Sequence, residues 1–409
     1  MSDTTRTAIA LEARYVARNY APLPVVIARG EGVWLYDVEG RRYLDMLAAY
    51  SAASFGHGHP RLVAALKQQA DRVAVVSRAF HSETLGPFLA RACERTRQDG
   101  AIPMNTGAEA VETALKAARK WGYAVKGIPR EQAEIIVCTN NFHGRTIAIV
   151  GFSSEPQYRE GFGPFPPGFT LVPFGDADAL ERAITPNTAA FLVEPVQGEG
   201  GVNVPPAGYL SRAAAICRRH NVLFIADEVQ TGMGRTGAFL ACDHDGVTPD
   251  GLVLGKSLGG GLLPVSLFLA RRDVIGLFRP GDHGSTFGGN PLAAAVGLAA
   301  LDVLFDEGLI GRSAELGGYL LQRLRLLKHP VVREVRGRGL LIGVELAEPA
   351  AHQLCEALMH EGVLSKEARG NVVRFSPPLV ITRAEIDWAV GRIASALDAV
   401  GRTLQAAAQ

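Results

Sequence analysis

A chain of 409 residues is long enough for two domains, or for one large domain with a smaller satellite. Its composition, 47% hydrophobic and 20% charged, suits a globular enzyme with a sizeable core. With 42 basic and 41 acidic residues the net charge is +1, which gives no electrostatic reason to expect nucleic acid or an anionic membrane as a partner. Five scattered cysteines without a CxxC argue against a disulfide framework or a structural zinc site, and for free thiols in a reducing compartment.

The opening stretch "MSDTTRTAIALEARYVARNY" mixes Asp3 and Glu12 with arginines and reads as a polar helix without the apolar core of a signal peptide. No run approaches the roughly 18 apolar residues that cross a bilayer, so a cytoplasmic protein is expected. "GVWLYDVEGRRYLDM" offers two short strands around a hairpin turn. "GHGHP" brings His57 and His59 together, but its Gly and Pro read as a turn, there is no HExxH, and no metal is expected. From about residue 60, apolar strands alternate with amphipathic helices. The strands are "AIPMN", "EIIVCT", "AAFLVEP", "NVLFIADE", "GLVLGK" and "PVSLFLAR"; "EAVETALKAARKWGYAV" and "PAGYLSRAAAICRRHN" carry apolar residues at helical spacing. Near-continuous apolar strands alternating with helices predict an α/β fold with a mostly parallel sheet covered on both faces. After "GLAALDVLFDEG" the pattern changes to that of a smaller α+β unit.

"GLVLGKSLGGG" runs a strand into Lys256 and then into glycine, and "GKS" resembles the end of a phosphate-binding loop. That loop needs a glycine five residues before Gly255, where this chain has Asp250, and its glycines precede the lysine rather than follow it. A lysine that holds a cofactor covalently fits better. Pyridoxal phosphate asks for such a lysine, an acid at the pyridine nitrogen, donors for its phosphate and a flat clamp on its ring. Of seven lysines, Lys116 and Lys120 lie a helical turn apart beside Arg119, as on a solvated face, whereas Lys256 ends a buried strand. In an open α/β sheet ligands bind at such strand ends, and partial desolvation lowers a lysine's pKa toward a nucleophile and base. Asp227 ends the strand in "FIADEVQ" and supplies the acid, with Gln230 placed to bond the ring oxygen. "PMNTGAEAVETALK" opens a helix at Thr106 and Gly107, whose unpaired N–H groups suit an anion. "GSTFGGNP", with Ser285 and Thr286, is a second hydroxyl-rich turn.

These residues, in this order, resemble the class III (omega-amino acid) aminotransferases of fold type I, from about Asn19 to the final helix. The resemblance rests on "NYAPLPVVIARGEGVWLYDVEGRRYLDMLAAYSA", "MNTGAEAVETALKAARKWGY", "FHGRT", "GFGPFPPGF", "EPVQGEGGV", "ADEVQTGMGRTG", "GKSLGGGLLPVS", "GSTFGGNPLA" and "VRFSPPL". It implies that Lys256 carries pyridoxal 5'-phosphate and shuttles the proton, and that Asp227 pairs with the pyridine nitrogen. Gln230 contacts the ring hydroxyl, Phe142 and Val229 sandwich the ring, and the backbone of Gly107 and Ala108, beside Thr106, binds the phosphate. Ser285 and Thr286 complete that site, Thr286 from a neighbouring subunit, so an obligate homodimer is implied. Within the family the nearest resemblance is to members acting on ornithine. Arg145 is then expected to grip its α-carboxylate and Tyr20 its α-amine, leaving the δ-amine to react. Arg374 takes the α-carboxylate of 2-oxoglutarate, Glu199 neutralises Arg374 while ornithine is bound, and Tyr50 shapes the wall. His143, before "GRT", follows the wider class where Trp is expected of ornithine-specific members. The implied division is 1–55 as an N-terminal segment joining the small domain, 56–310 as the large cofactor domain and 311–409 as the small domain. Alternatives are transfer from N-acetylornithine or 4-aminobutyrate, an intramolecular aminomutase, and a non-catalytic cofactor-binding regulator. Tyr20 and Tyr50 argue against the first. The last needs a DNA-binding module and a basic face.

Overall fold

Ser2 caps the first helix, Asp3–Tyr15, in the computed structural model, which describes residues 2–407. Strands β1 (Ile27–Glu31), β2 (Trp34–Asp37) and β3 (Arg42–Asp45) follow as an antiparallel meander. The central sheet comes next. It contains β4 (Gly100–Met104), β5 (Glu134–Cys138), β6 (Phe169–Val172), β7 (Thr188–Val193), β8 (Leu223–Asp227), β9 (Gly251–Leu254) and β10 (Ser266–Ala270). Their spatial order is β4-β10-β9-β8-β7-β5-β6. Strands β6, β5, β7, β8 and β9 pair in parallel, and β10 runs antiparallel to both β9 and β4. All six strands read from the sequence are present. Strand β6 was not among them: it is a four-residue edge strand whose two middle residues are exposed, so it carries little apolar signal.

Alternation along the central strands separates two cores. Ile136, Phe191, Val193, Phe224 and Leu252 join one cluster, packed with the helices Tyr209–Arg219 and Pro291–Asp306. Ile135, Leu192, Ile225, Val253 and Phe268 join the other, beneath the helix Gly107–Trp121. Both faces are therefore covered, and this is why the strands read as continuous apolar runs.

The helix Leu309–Leu326 leads into the antiparallel sheet formed by β11 (Val332–Arg338), β12 (Leu341–Leu346), β14 (Lys366–Ala368) and β15 (Val372–Phe375), with β13 (Val363–Leu364) between them in sequence. Strand β13 does not join that sheet. It pairs in parallel with β3, stitching the two ends of the chain together. Arg235 is a second clasp: wholly buried, it donates to Leu340 O (3.0 Å), Pro377 O (2.6 Å) and Ser54 Oγ (2.8 Å). Gly339 lies so close that a Cβ there would sit 2.3 Å from the Thr236 carbonyl carbon.

His57 and His59 are held by carboxylates, His57 Nε2 to Asp45 Oδ2 at 2.9 Å and His59 Nε2 to Glu307 Oε2 at 3.3 Å. Among the described residues no His, Cys, Asp and Glu group could hold a metal, and no helix is long and apolar enough to cross a membrane.

Candidate active site

Strands β7, β8 and β9 end at one pocket, whose floor holds Glu194, Asp227 and Lys256 and whose walls include Phe142 and Val229. Strand β9 stops at Leu254, and Lys256 follows Gly255 at the start of a tight 3-10 turn with a left-handed φ of 47°. This unusual backbone aims the lysine into the pocket rather than along the strand. Burial lowers the Lys256 pKa, and nearby Arg374 lowers it further, against the opposing pull of Glu199, Asp227 and Glu194. A lysine so placed holds a larger neutral, nucleophilic fraction than an exposed one.

Asp227 is oriented by two contacts. Its Oδ1 accepts the Val229 N–H at 3.0 Å, and its Oδ2 meets His143 Nδ1 at 2.7 Å. The His143 side chain is fully buried. Burial pushes its pKa down, but the hydrogen bond and charge of Asp227, with Glu194 nearby, outweigh that and raise it. Glu194 is pushed up to about 7, first by burial and also by Asp227, while His143, the Phe142 N–H (2.9 Å) and Lys256 pull the other way. Three titratable groups thus stack behind the pocket. In the sequence His143 stands out only as a departure from the expected Trp, and Glu194 as the end of the apolar run "AAFLVEP"; a carboxylate closing an apolar strand beside that of Asp227 is the signal that points to it.

At the other end, Thr106 caps the helix Gly107–Trp121 in a capping box with Glu109. Its hydroxyl accepts from Glu109 N–H at 3.2 Å, so the side chain is spent on the cap and does not line the pocket. Gly107 and Ala108 do line it, and their first-turn N–H groups have no intrahelical acceptor and sit at the positive end of the helix dipole. Ser285 Oγ accepts from Asn105 Nδ2 (2.9 Å), beside this helix start, while Thr286 is exposed. Gln230 donates to Tyr50 O at 3.2 Å, and its Oε1 is buried without a partner. Gly198 makes room for that amide, because a Cβ there would lie 1.4 Å from Oε1.

Glu199 Oε1 and Arg374 Nη1 are 2.8 Å apart, and Arg374 is fully buried with its Nε and Nη2 unpartnered. Burial raises the Glu199 pKa, but Arg374, Lys256 and Arg369 more than reverse this and keep it below the usual carboxylate value. The Tyr50 ring lies 4.8 Å from the Arg374 guanidinium. Tyr50 belongs to a left-handed turn in which Ala48, Ala49, Tyr50 and Ser51 all have positive φ, a conformation costing about 1–2 kcal/mol per residue. Asp45 holds it by accepting from Leu47 N–H (3.0 Å) and Ala48 N–H (2.7 Å). Tyr20 is 78% exposed; the Tyr50 phenol pKa is raised, first by burial and then by Glu199, with Tyr20 a smaller contributor. Arg145 is exposed at the rim, its guanidinium 3.5 Å from the Tyr158 ring centre and 5.5 Å from that of Phe142.

A buried lysine, an oriented acid and a helix start converging on one mostly parallel sheet define a pyridoxal-phosphate-dependent transferase of fold type I. The model of the aminotransferase class-III family matches residues 15–397, and the chain belongs to that family. The ornithine aminotransferase of Geobacillus sp. (strain WCH70) is 57% identical over 393 residues, 96% of this chain and 98% of that protein. Among solved structures, the ornithine aminotransferase of Toxoplasma gondii, with partial occupancy of PLP at its active site, has a TM-score of 0.96 at 49% identity over 98% of this chain and 95% of that one. The acetylornithine aminotransferase of Elizabethkingia anophelis reaches 0.88 at 46% identity, over 96% and 98% of the two chains.

The residues present fit the cofactor. The unpartnered Gln230 Oε1 offers an acceptor for a ring hydroxyl. A Cβ on Gly107 would come within 2.9 Å of Val229 Cγ1, so glycine is what lets this helix start lie against the Val229 wall of the pocket. The Asp227 carboxylate is presented with its orientation already set.

Proposed function

We propose that the chain transfers the δ-amino group of L-ornithine to 2-oxoglutarate, giving glutamate 5-semialdehyde, which cyclises to pyrroline-5-carboxylate, and L-glutamate. The Glu199–Arg374 pair, 2.8 Å long and bordering the pocket of Lys256, carries the reading. One enzyme must accept a substrate whose α-carboxylate has to be kept away from the reacting carbon, and then an oxo acid whose α-carboxylate has to be brought to it. A buried arginine masked by a movable carboxylate meets both demands. Masked, it does not attract ornithine's α-carboxylate; unmasked, it binds that of 2-oxoglutarate bidentately.

Bound pyridoxal phosphate supplies the electron sink and the carbon that carries the amino group between the two substrates. Lys256 holds the cofactor and moves the proton at the substrate carbon. Asp227, steadied by Val229 N–H and His143, keeps the ring nitrogen protonated. Phe142 and Val229 clamp the ring, Gln230 takes its hydroxyl, and Gly107 and Ala108, at the helix start that Thr106 caps, form the phosphate end with Ser285. Arg145 grips the ornithine α-carboxylate, Tyr20 takes the α-amine, and Tyr50 closes the wall. Thr286, exposed in this chain, serves the phosphate of a second copy, so the working unit is a homodimer; its free cysteines suit the reducing cytoplasm. Residues 56–310 act as the large domain, and 1–55 with 311–409 as the small one; the β3–β13 pairing supports joining those ends.

The test supplies the purified protein with cofactor and 2-oxoglutarate, and with either L-ornithine or N-acetyl-L-ornithine. Pyrroline-5-carboxylate is trapped with o-aminobenzaldehyde, and glutamate is counted in both. Adduct and glutamate from ornithine, with little glutamate from the acetylated substrate, are expected. Glutamate mainly from N-acetylornithine would leave Lys256 in place and overturn the substrate assignment.

A further inference from the structure

Arg145 is expected to bind a carboxylate, yet it is exposed and has no hydrogen-bond or ion-pair partner among the described residues to hold it. An arginine side chain free at a surface loses substantial rotamer entropy when it binds a ligand. Here the guanidinium is held by its face instead. It lies 3.5 Å from the centre of the Tyr158 ring and 5.5 Å from that of Phe142. Face contact leaves the N–H edge free, and that edge is the part that recognises a carboxylate bidentately.

Tyr158 is itself fixed. It ends the short 3-10 turn Pro156–Tyr158 and is half-buried. Its ring stands edge-on to Phe142 at 6.1 Å and 79°, and a second guanidinium, that of Arg369, lies 4.9 Å from its centre. Two cations near one ring repel, but Glu155 stands 3.6 Å from Arg369 Nε and offsets this. Arg369 is tied down in turn, with its backbone N–H on Glu199 O at 3.1 Å and its Nη2 on Asn141 O at 3.2 Å. The ring thus joins the rim arginine to the segment carrying the Glu199 gate and to the Phe142 wall.

We propose that Tyr158 is a positioning residue for carboxylate recognition, holding the Arg145 guanidinium flat with its N–H edge turned to the substrate. This rests on the role given to Arg145 above. Tyr158 does not touch the reacting atoms, so its loss acts on substrate binding rather than on the chemical step. Both substrates carry a carboxylate far from their reacting carbon, so both are affected.

The test uses the holoenzyme and its Y158L, Y158F, R145Q and R145Q/Y158L variants, with L-ornithine and 2-oxoglutarate as substrates and an absorbance titration of cofactor affinity. In Y158L the KM for each substrate is expected to rise roughly tenfold, with kcat within about twofold of wild type. Y158F, which keeps the ring, restores the wild-type KM. Adding Y158L to R145Q lowers kcat/KM no further, because the tyrosine has nothing left to position. Cofactor affinity stays unchanged throughout. An unaltered KM in Y158L, an additive loss in the double variant, or weakened cofactor binding, which would mean that Phe142 had moved, each overturns the proposal. Wild-type enzyme that fails to turn over ornithine sinks the functional reading instead, so the two failures are told apart.

Discussion

The floor and the rim of the pocket are built by different means. Asp227, His143, Glu194 and Lys256 lie deep at the ends of β7, β8 and β9 or against them, held by short hydrogen bonds and by one another's charge. Arg145, Tyr158, Tyr20 and Tyr50 lie at or near the surface on turns and coil, held by ring faces and a strained turn. In the low dielectric of the floor, electrostatics set protonation states, which is what chemistry on a cofactor needs. At the rim, stacking sets orientation while leaving polar edges open, which is what reading a substrate needs. Changes to the floor are therefore expected to act on kcat, cofactor affinity and pH dependence, and changes to the rim on KM and on which amine reacts.

The largest expected effect is at Lys256. K256A should lower kcat by at least about 10⁴-fold, since nucleophile and proton carrier are lost together. Borohydride reduction followed by peptide mapping should find the cofactor fixed to Lys256 in the wild type and unfixed in the variant. D227A should come next, with kcat down roughly 10³-fold and weaker cofactor binding, read by absorbance titration. If D227A altered only KM, the floor would not be the seat of the chemistry.

Glu194 gives a smaller effect with a definite sign. Its folded-state pKa is raised to about 7, above the ordinary 4.5. Its proton is therefore bound more tightly in the folded chain, and the stability this provides is full below about pH 4.5 and lost as pH rises through about 7. E194Q should abolish that loss, worth about 3 kcal/mol, so the difference in unfolding free energy between variant and wild type, measured by urea titration without cofactor, should grow from pH 4.5 to 7. A flat difference would mean that Glu194 is not charged at the cost of folding. The smallest effect is at Thr106, whose hydroxyl belongs to the helix cap. T106A should cost about 1 kcal/mol of stability, seen as a lower midpoint in thermal unfolding.

Much of the floor was legible in the sequence because buried strands announce themselves. "NVLFIADE" and "GLVLGK" are apolar runs that end in charged residues, and a polar residue at the end of a buried strand in such a sheet faces a ligand crevice. The capping box at Thr106 was visible as T-x-x-E, although its hydroxyl proved to be engaged with the helix rather than turned to the pocket. The pair of His143 with Asp227 was not legible, because 84 residues separate them and no local pattern links them. The rim was harder still. The left-handed turn at Ala48–Ser51 contains no glycine to mark it, and the stack of Arg145 on Tyr158 joins two segments that look like ordinary loop. Strand β6 and the β3–β13 pairing likewise depend on tertiary packing rather than on periodicity.

The gate joins floor to rim, so the most direct measurement is made there. Wild type and E199A would be supplied with L-ornithine labelled with ¹⁵N at the δ-amine, and the glutamate formed would be read by mass spectrometry. Wild type should pass the label almost completely. E199A leaves the buried Arg374 unmasked and free to seize the α-carboxylate, so a large share of its glutamate should be unlabelled, drawn from the α-amine. Glutamate from E199A as fully labelled as that from wild type would contradict the claim that the Glu199–Arg374 pair decides which end of the substrate reacts.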